Sequence, residues 1–214
     1  MATIIRLKNA GLEGPDIDLI TNDLLSGCLL VYPTETFYGL GGVASSITVA
    51  NRIFALKGRE RGKFLPFIAS DLELIMKMAD KLPPVFFPLA EYFWPGPLTM
   101  VVKAKEGALP EELLGPEKTI AVRIPPIDWL REIVRRINTL LISTSANFSG
   151  QAPLSSFNEV YKIFKDEVEL LIDGGQTPGK KPSTIIDLTF PQPVCIREGQ
   201  IPFSQIQKFL SEIG

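Results

Sequence analysis

The ten residues Leu141-Ile142-Ser143-Thr144-Ser145-Ala146-Asn147-Phe148-Ser149-Gly150 run from an apolar stretch into short hydroxyls and an amide, and end on glycine. A chain of this kind leaves a strand in a tight turn. Serine and threonine supply compact donors, while asparagine and glycine tolerate left-handed backbone, so the segment could form a nest for a phosphate or carboxylate. A plain polar strand-to-helix turn has the same composition. Three further polar segments fall at strand or helix ends, where α/β sheets usually place a site: Pro33 to Gly41, Lys57 to Lys63, and Thr119 to Arg123. The second sets Lys57, Arg59, Arg61 and Lys63 against one acid, Glu60, with glycines between them. That density of cations suits a polyphosphate, and it equally suits a solvated helix end whose charges complement the dipole. Arg123 stands inside an apolar strand, where a buried guanidinium needs a partner or a ligand carboxylate unless strand alternation turns it to solvent.

The chain has no histidine. This excludes Ser-His-Asp and Cys-His nucleophilic machinery and the usual histidine-bearing zinc sites, leaving hydroxyl, carboxylate, lysine and arginine chemistry. Two nucleotide signatures fail on inspection. Gly174-Gly175-Gln176-Thr177-Pro178-Gly179-Lys180-Lys181 imitates a P-loop, but lysine replaces the final Ser/Thr and Pro182 precedes a β-rich run where a helix should begin. Gly39-Leu40-Gly41-Gly42 lacks the full spacing of a dinucleotide fingerprint.

Hydrophobic periodicity says which elements must hold these residues. A helical period over Ile17–Leu25 stops at Gly27, and Cys28–Tyr32 reads as a buried strand ended by Pro33. Ser46 is suited to cap a helix closing at Lys57-Gly58; Phe67–Ala69 is a short strand; Asp71 is suited to cap a helix through Met78. Strands are expected at 98–103, 119–124, 140–143, 170–172, 184–188 and 194–197, and helices at 129–137, 157–165 and 204–213. Trp94-Pro95-Gly96-Pro97 makes a stiff turn before the first of these strands. Such mixing predicts an α/β fold, with helices packed on a mostly buried sheet.

At 214 residues, 45% hydrophobic and 21% charged, the chain is expected to form one globular domain over 1–214. Its net charge of −2 removes general attraction to nucleic acid, so RNA binding would need a local patch. Cys28 and Cys195 show no metal-ligand spacing and read as small buried hydrophobes in a reducing compartment. With a charge interrupting the apolar N-terminus and no long apolar run, a cytoplasmic protein without membrane association is expected.

Several ordered motifs together carry a family resemblance. They are Tyr-Pro-Thr-Glu-Thr-x-Tyr-Gly-Leu-Gly at 32–41, Lys-x-Arg at 57–59, Trp-Pro-Gly-Pro-Leu-Thr at 94–99, Val-Arg-Ile-Pro at 122–125, Ser-Thr-Ser-Ala-Asn-x-Ser-Gly at 143–150, Asp-Gly-Gly at 173–175, Ser-Thr-Ile-Ile-Asp at 183–187 and Arg-Glu-Gly at 197–199. On these the chain resembles the YrdC/TsaC family of threonylcarbamoyl-adenylate synthases, in its short single-domain form without an extra C-terminal domain. The resemblance implies a twisted mixed β-sheet with flanking helices and a concave cavity. It also implies a reaction joining L-threonine, bicarbonate and ATP, with Mg²⁺ accompanying the nucleotide, into threonylcarbamoyl-AMP and pyrophosphate. The product would feed a partner transferase complex that modifies tRNA adenosine.

Carried over by motif, Lys57 and Arg59 would bind the ATP phosphates and act in catalysis, with Arg61 or Lys63 assisting. Thr119, Ser145, Asn147 and Arg197 would complete the nucleotide side. Thr34, Arg123, Ser143 and Ser183 would surround threonine, with Arg123 on its carboxylate. The chain departs from many relatives in placing Glu60, rather than proline, after Arg59, so either Arg59 or Arg61 could meet phosphate. Where some relatives carry a histidine it has Phe67-Ile68-Ala69, so any threonine contact there would be through backbone. Two other classes share these residues: an RNA-binding module using the basic segment and nearby aromatics, and an enzyme that hydrolyses the adenylate or passes its carbamoyl group to another acceptor.

Overall fold

A computed structural model describes residues 1–8, 11–58 and 65–213. Among them ten strands form one mixed sheet. In chain order they are β1 (Thr3–Arg6), β2 (Leu30–Tyr32), β3 (Gly39–Val43), β4 (Pro66–Ile68), β5 (Leu98–Lys103), β6 (Thr119–Arg123), β7 (Leu141–Ser145), β8 (Leu170–Asp173), β9 (Thr184–Asp187) and β10 (Val194–Arg197). The order across the sheet is β1-β8-β2-β3-β7-β4-β6-β5-β9-β10. Helices α1 (Gly14–Leu25), α2 (Ile47–Lys57), α3 (Leu72–Met78), α4 (Phe86–Phe93), α5 (Asp128–Ile137), α6 (Phe157–Phe164) and α7 (Phe203–Ile213) flank it. No helix among the described residues is long and apolar enough to cross a membrane.

The caps act as their residue types require. The Ser46 hydroxyl accepts the Val49 N–H at 3.4 Å, and the Asp71 carboxylate accepts that of Leu74 at 2.9 Å, each satisfying a first-turn donor that has no partner within its helix. Helix α2 closes on Gly58, whose φ of +56° is left-handed backbone that glycine adopts without strain. The expected Trp94–Pro97 turn contains a cis Trp94–Pro95 peptide, and the Trp94 indole N–H donates to the Leu98 carbonyl at 2.6 Å.

Three elements depart from the sequence expectations. Strand β1, helix α4 and, above all, β3 fall outside the expected elements. The run Gly39-Leu40-Gly41-Gly42-Val43 has poor strand propensity, yet it is buried and paired on both sides, to β2 and to β7. Close packing requires the glycines. A Cβ on Gly39 would lie 3.0 Å from the Tyr32 ring, one on Gly41 would lie 2.2 Å from the Ile142 carbonyl oxygen, and one on Gly42 would lie 2.4 Å from Val49 of α2. Strand β7 also runs two residues further than expected, so Thr144 and Ser145 belong to the sheet. Both cysteines are free and only half-buried, not fully buried as expected; partial burial raises both thiol pKa values.

Candidate active site

The register across the middle of the sheet brings the chemistry-bearing segments together. Pairing of β3 with β7 sets Gly39 opposite Ser145 and Gly41 opposite Ser143, so two motifs a hundred residues apart in sequence become neighbours. On the other side of β4, Arg123 ends β6, and Ser183 immediately precedes β9, which β5 joins to β6. A bulge between Cys195 and Arg197 in β10 lies next to β9. The result is a cavity of about 620 Å³, whose walls include Thr34, Arg123, Ser143, Ser145, Ser183 and Arg197. Six of the expected site residues therefore share one chamber.

Its walls are pre-set by internal hydrogen bonds. In the β2–β3 turn the Thr34 hydroxyl meets that of Thr36 at 2.8 Å and donates to the Phe37 carbonyl at 2.6 Å. Tyr32 is fully buried; its ring lies against Gly39 and Gly41, and its phenol donates to the Ser143 hydroxyl at 2.7 Å. Burial pushes the Tyr32 pKa up to about 12, although the Ser143 hydrogen bond and the Arg123 charge pull the other way. The phenol thus stays protonated, and Ser143 keeps its own hydrogen to offer a ligand. Opposite, the Ser183 hydroxyl contacts Thr99 at 3.0 Å, and Arg197 donates to the Ser183 carbonyl through Nε at 3.2 Å and Nη2 at 2.8 Å. Arg197, expected on the nucleotide side, therefore braces a residue expected on the threonine side.

The segment 174–182 is stitched to the same turn. Tyr38 donates to the Gly175 carbonyl at 3.0 Å and accepts the Gly174 N–H at 3.1 Å, while the Gly179 N–H donates to the Thr36 carbonyl at 2.8 Å. Strand β9 follows this segment, which agrees with its rejection as a P-loop.

Three expected residues stand apart from the cavity walls. Thr119 is buried at the start of β6 and donates its hydroxyl to the Pro116 carbonyl at 2.9 Å. Asn147 and Lys57 lie behind Ser145. The buried Lys57 ammonium donates to the carbonyls of Ser145 at 2.5 Å and Asn147 at 2.8 Å and to Asn147 Oδ1 at 3.1 Å. The Ser/Thr/Asn loop also uses its own donors internally. The N–H of Ala146 goes to Tyr38, that of Asn147 to Ser145, and that of Ser149 to Lys57. Arg59, Arg61 and Lys63, and the Glu60 beside them, lie outside the described residues.

Arg123 settles its own ambiguity: it is 7% exposed, and Nη1 donates to Oε1 of Glu35. Glu35 escaped the sequence reading. The available signal was an acid set between two threonines directly after an apolar strand, beside a buried arginine that needed a counter-charge.

A family model, Sua5/YciO/YrdC, described as Telomere recombination, matches residues 22–199. The chain belongs to the Sua5/YciO/YrdC family. It is 34% identical over its whole length to a threonylcarbamoyl-AMP synthase of Pyrococcus abyssi, of which it spans only 62%. It is 35% identical to a threonylcarbamoyl-AMP synthase of Thiobacillus denitrificans, over 77% of this chain and 87% of that protein. Among solved structures, P. abyssi Sua5 complexed with L-threonine superposes with a TM-score of 0.92 at 34% identity, covering 99% of this chain and 62% of that one. The mixed sheet with flanking helices, expected from the motifs, is thus the Sua5/YciO/YrdC fold.

Proposed function

We propose that this protein is an L-threonylcarbamoyladenylate synthase, forming threonylcarbamoyl-AMP and pyrophosphate from L-threonine, bicarbonate and ATP. One observation carries the reading most: a buried guanidinium, Arg123, shares a chamber with the hydroxyls of Thr34, Ser143 and Ser183. That donor set suits a small hydroxy amino acid. Arg123 would hold the carboxylate, while the fixed hydroxyls would orient the amine and side chain. The similarity to threonylcarbamoyl-AMP synthases, and to a Sua5 that binds L-threonine, supports the same reading.

The chemistry asks for alignment more than for a nucleophile on the protein. Threonine's free amine joins the carbon of bicarbonate, with loss of water, to give a carbamate. A carbamate oxygen then bonds to the α-phosphorus of ATP as the bond to the β-phosphate oxygen breaks and pyrophosphate leaves. The protein must hold two anions in line and stabilise the developing charge. Ser145 and Arg197 would serve the nucleotide end of the cavity. Lys57 would act by its charge and by holding the Ser145–Asn147 loop in shape. Arg59, Arg61 and Lys63 would reach the phosphates, and Thr119 would support them from β6.

The cavity offers hydroxyl and guanidinium groups, and its adjacent carboxylate, Glu35, is engaged by Arg123. Mg²⁺ is therefore assigned to the ATP phosphates, as part of the substrate, where it neutralises the departing pyrophosphate. The product would pass to a transferase that modifies tRNA adenosine. Pyrophosphate release from Mg-ATP tests the reading: it should require L-threonine and bicarbonate together. Release that is indifferent to either would reject it.

A further inference from the structure

Arg123 is the buried guanidinium of the cavity, yet a protein carboxylate, that of Glu35, already engages it. The Glu35 side chain is 18% exposed, and its chain neighbours Thr34 and Thr36 both line the cavity. One oxygen, Oε1, takes the Arg123 hydrogen. The other, Oε2, is buried with no hydrogen-bond partner among the described residues. A buried carboxylate oxygen left unpaired is costly, and such a group in a ligand chamber points to a donor that arrives with the ligand.

A carboxylate substrate would have to compete with Glu35 for Arg123. Competition alone would leave Glu35 buried without a counter-charge, a change that removal of one partner from buried ion pairs shows to be strongly unfavourable. The exchange becomes favourable if the ligand brings a cation of its own. An α-amino acid does so: its carboxylate goes to Arg123 and its ammonium to Glu35, so one ion pair becomes two and Oε2 gains a donor. The pair and the zwitterion are each net neutral, which keeps the occupied chamber neutral as well.

Building on the proposed function, we propose that Glu35 receives the α-ammonium of the amino-acid substrate, so that Arg123 and Glu35 together read both charged ends of a zwitterion. Glu35 is then a specificity residue that excludes carboxylates lacking an amine. It also fixes where the nitrogen sits before its proton is lost and its bond to carbon forms.

The test compares two ligands and two proteins by titration calorimetry on the full chain. The ligands are L-threonine and 2,3-dihydroxybutanoate of matched configuration, which replaces the ammonium with a hydroxyl. The proteins are wild type and Glu35→Gln. Glu35→Gln should weaken threonine by about tenfold or more, the worth of a hydrogen bond to a charged group, and leave the analogue unweakened or bound more tightly, because its binding no longer strands a buried carboxylate. Equal weakening of both ligands would mean that Glu35 only positions Arg123, and unchanged threonine affinity would mean that it does neither; each result overturns the proposal. Should Glu35→Gln not fold, Glu35→Asp keeps the charge on a shorter stem. It should again weaken threonine selectively, and equal effects on the two ligands would again refute the proposal. Wild type that binds threonine but releases no pyrophosphate would overturn the synthase reading and leave the ligand comparison decisive for Glu35. Wild type that binds neither ligand would overturn both.

Discussion

Replacing Lys57 by methionine separates its structural work from its expected contact with phosphate. Lys57 is 4% exposed, and its ammonium donates to three acceptors of the Ser145–Asn147 loop. Their alternatives differ. The Ser145 carbonyl also accepts the Asn147 N–H at 3.0 Å, and Asn147 Oδ1 also accepts the Ser145 hydroxyl at 2.5 Å, so both keep a partner. The Asn147 carbonyl has no second donor among the described residues. Leaving that one acceptor unpaired costs about 1–3 kcal/mol, and losing two charge-assisted bonds adds to it. Relief from burying an ammonium offsets part of the total, so the net loss should be about 2–3 kcal/mol. For a chain of this size that is a fall in Tm of roughly 4–12 °C. Differential scanning calorimetry reads it directly. Loss of ATP affinity should accompany the change, because the Ser145–Asn147 loop would no longer be held. A Lys57→Met protein with wild-type Tm and abolished ATP binding would refute the reasoning and make the ammonium a phosphate ligand alone.

Other consequences follow from the same geometry. Arg123→Ala should weaken L-threonine by about tenfold or more and ATP by only a few-fold, in parallel titrations; equal losses would count against the carboxylate assignment. Gly199→Ala would place a Cβ 2.2 Å from the Pro182 carbonyl oxygen and 2.5 Å from the Ser183 carbonyl carbon. It should therefore raise the KM for threonine and lower stability by about 1–3 kcal/mol, measured by steady-state kinetics and urea denaturation. Burial raises the pKa values of Tyr32 and Tyr38 from 10.0 to about 12, so the folded protein holds two protons that the unfolded chain releases from pH 10 upwards. Stability from this source is complete below pH 10 and is lost as pH rises towards 12, by about 1.4 kcal/mol per unit for each tyrosine. Tyr32→Phe should flatten that alkaline slope in urea melts taken at stepped pH, and an unchanged slope would remove Tyr32 as its source.

Much of this architecture is legible in the residues because local physics fixes it. Ser46 and Asp71 have the side chains a helix start requires, and Gly58 has the backbone freedom a helix end requires. What stayed hidden depends on partners distant in sequence. Strand β3 is invisible to propensity because its glycines answer to the Tyr32 ring, Ile142 and Val49, none of which local pattern can set beside them. The site shows the same division. Arg123 announces itself as an apolar-strand cation in need of a counter-charge. The choice of Glu35 follows only once the turn after β2 is folded back beside the end of β6. Lys57 and Asn147 are expected from their motifs as separate nucleotide ligands, and only the fold shows them as a pair in which one holds the other's loop.

The central claim is that this cavity joins three substrates into one adenylate. Purified protein, given Mg-ATP, L-threonine and ¹³C-bicarbonate, should yield a nucleotide with the mass of threonylcarbamoyl-AMP carrying the heavy carbon, resolved by liquid chromatography and mass spectrometry. Arg123→Ala should reduce its yield sharply at limiting threonine. Folded wild-type protein that binds ATP and threonine yet forms no labelled adenylate would contradict the account.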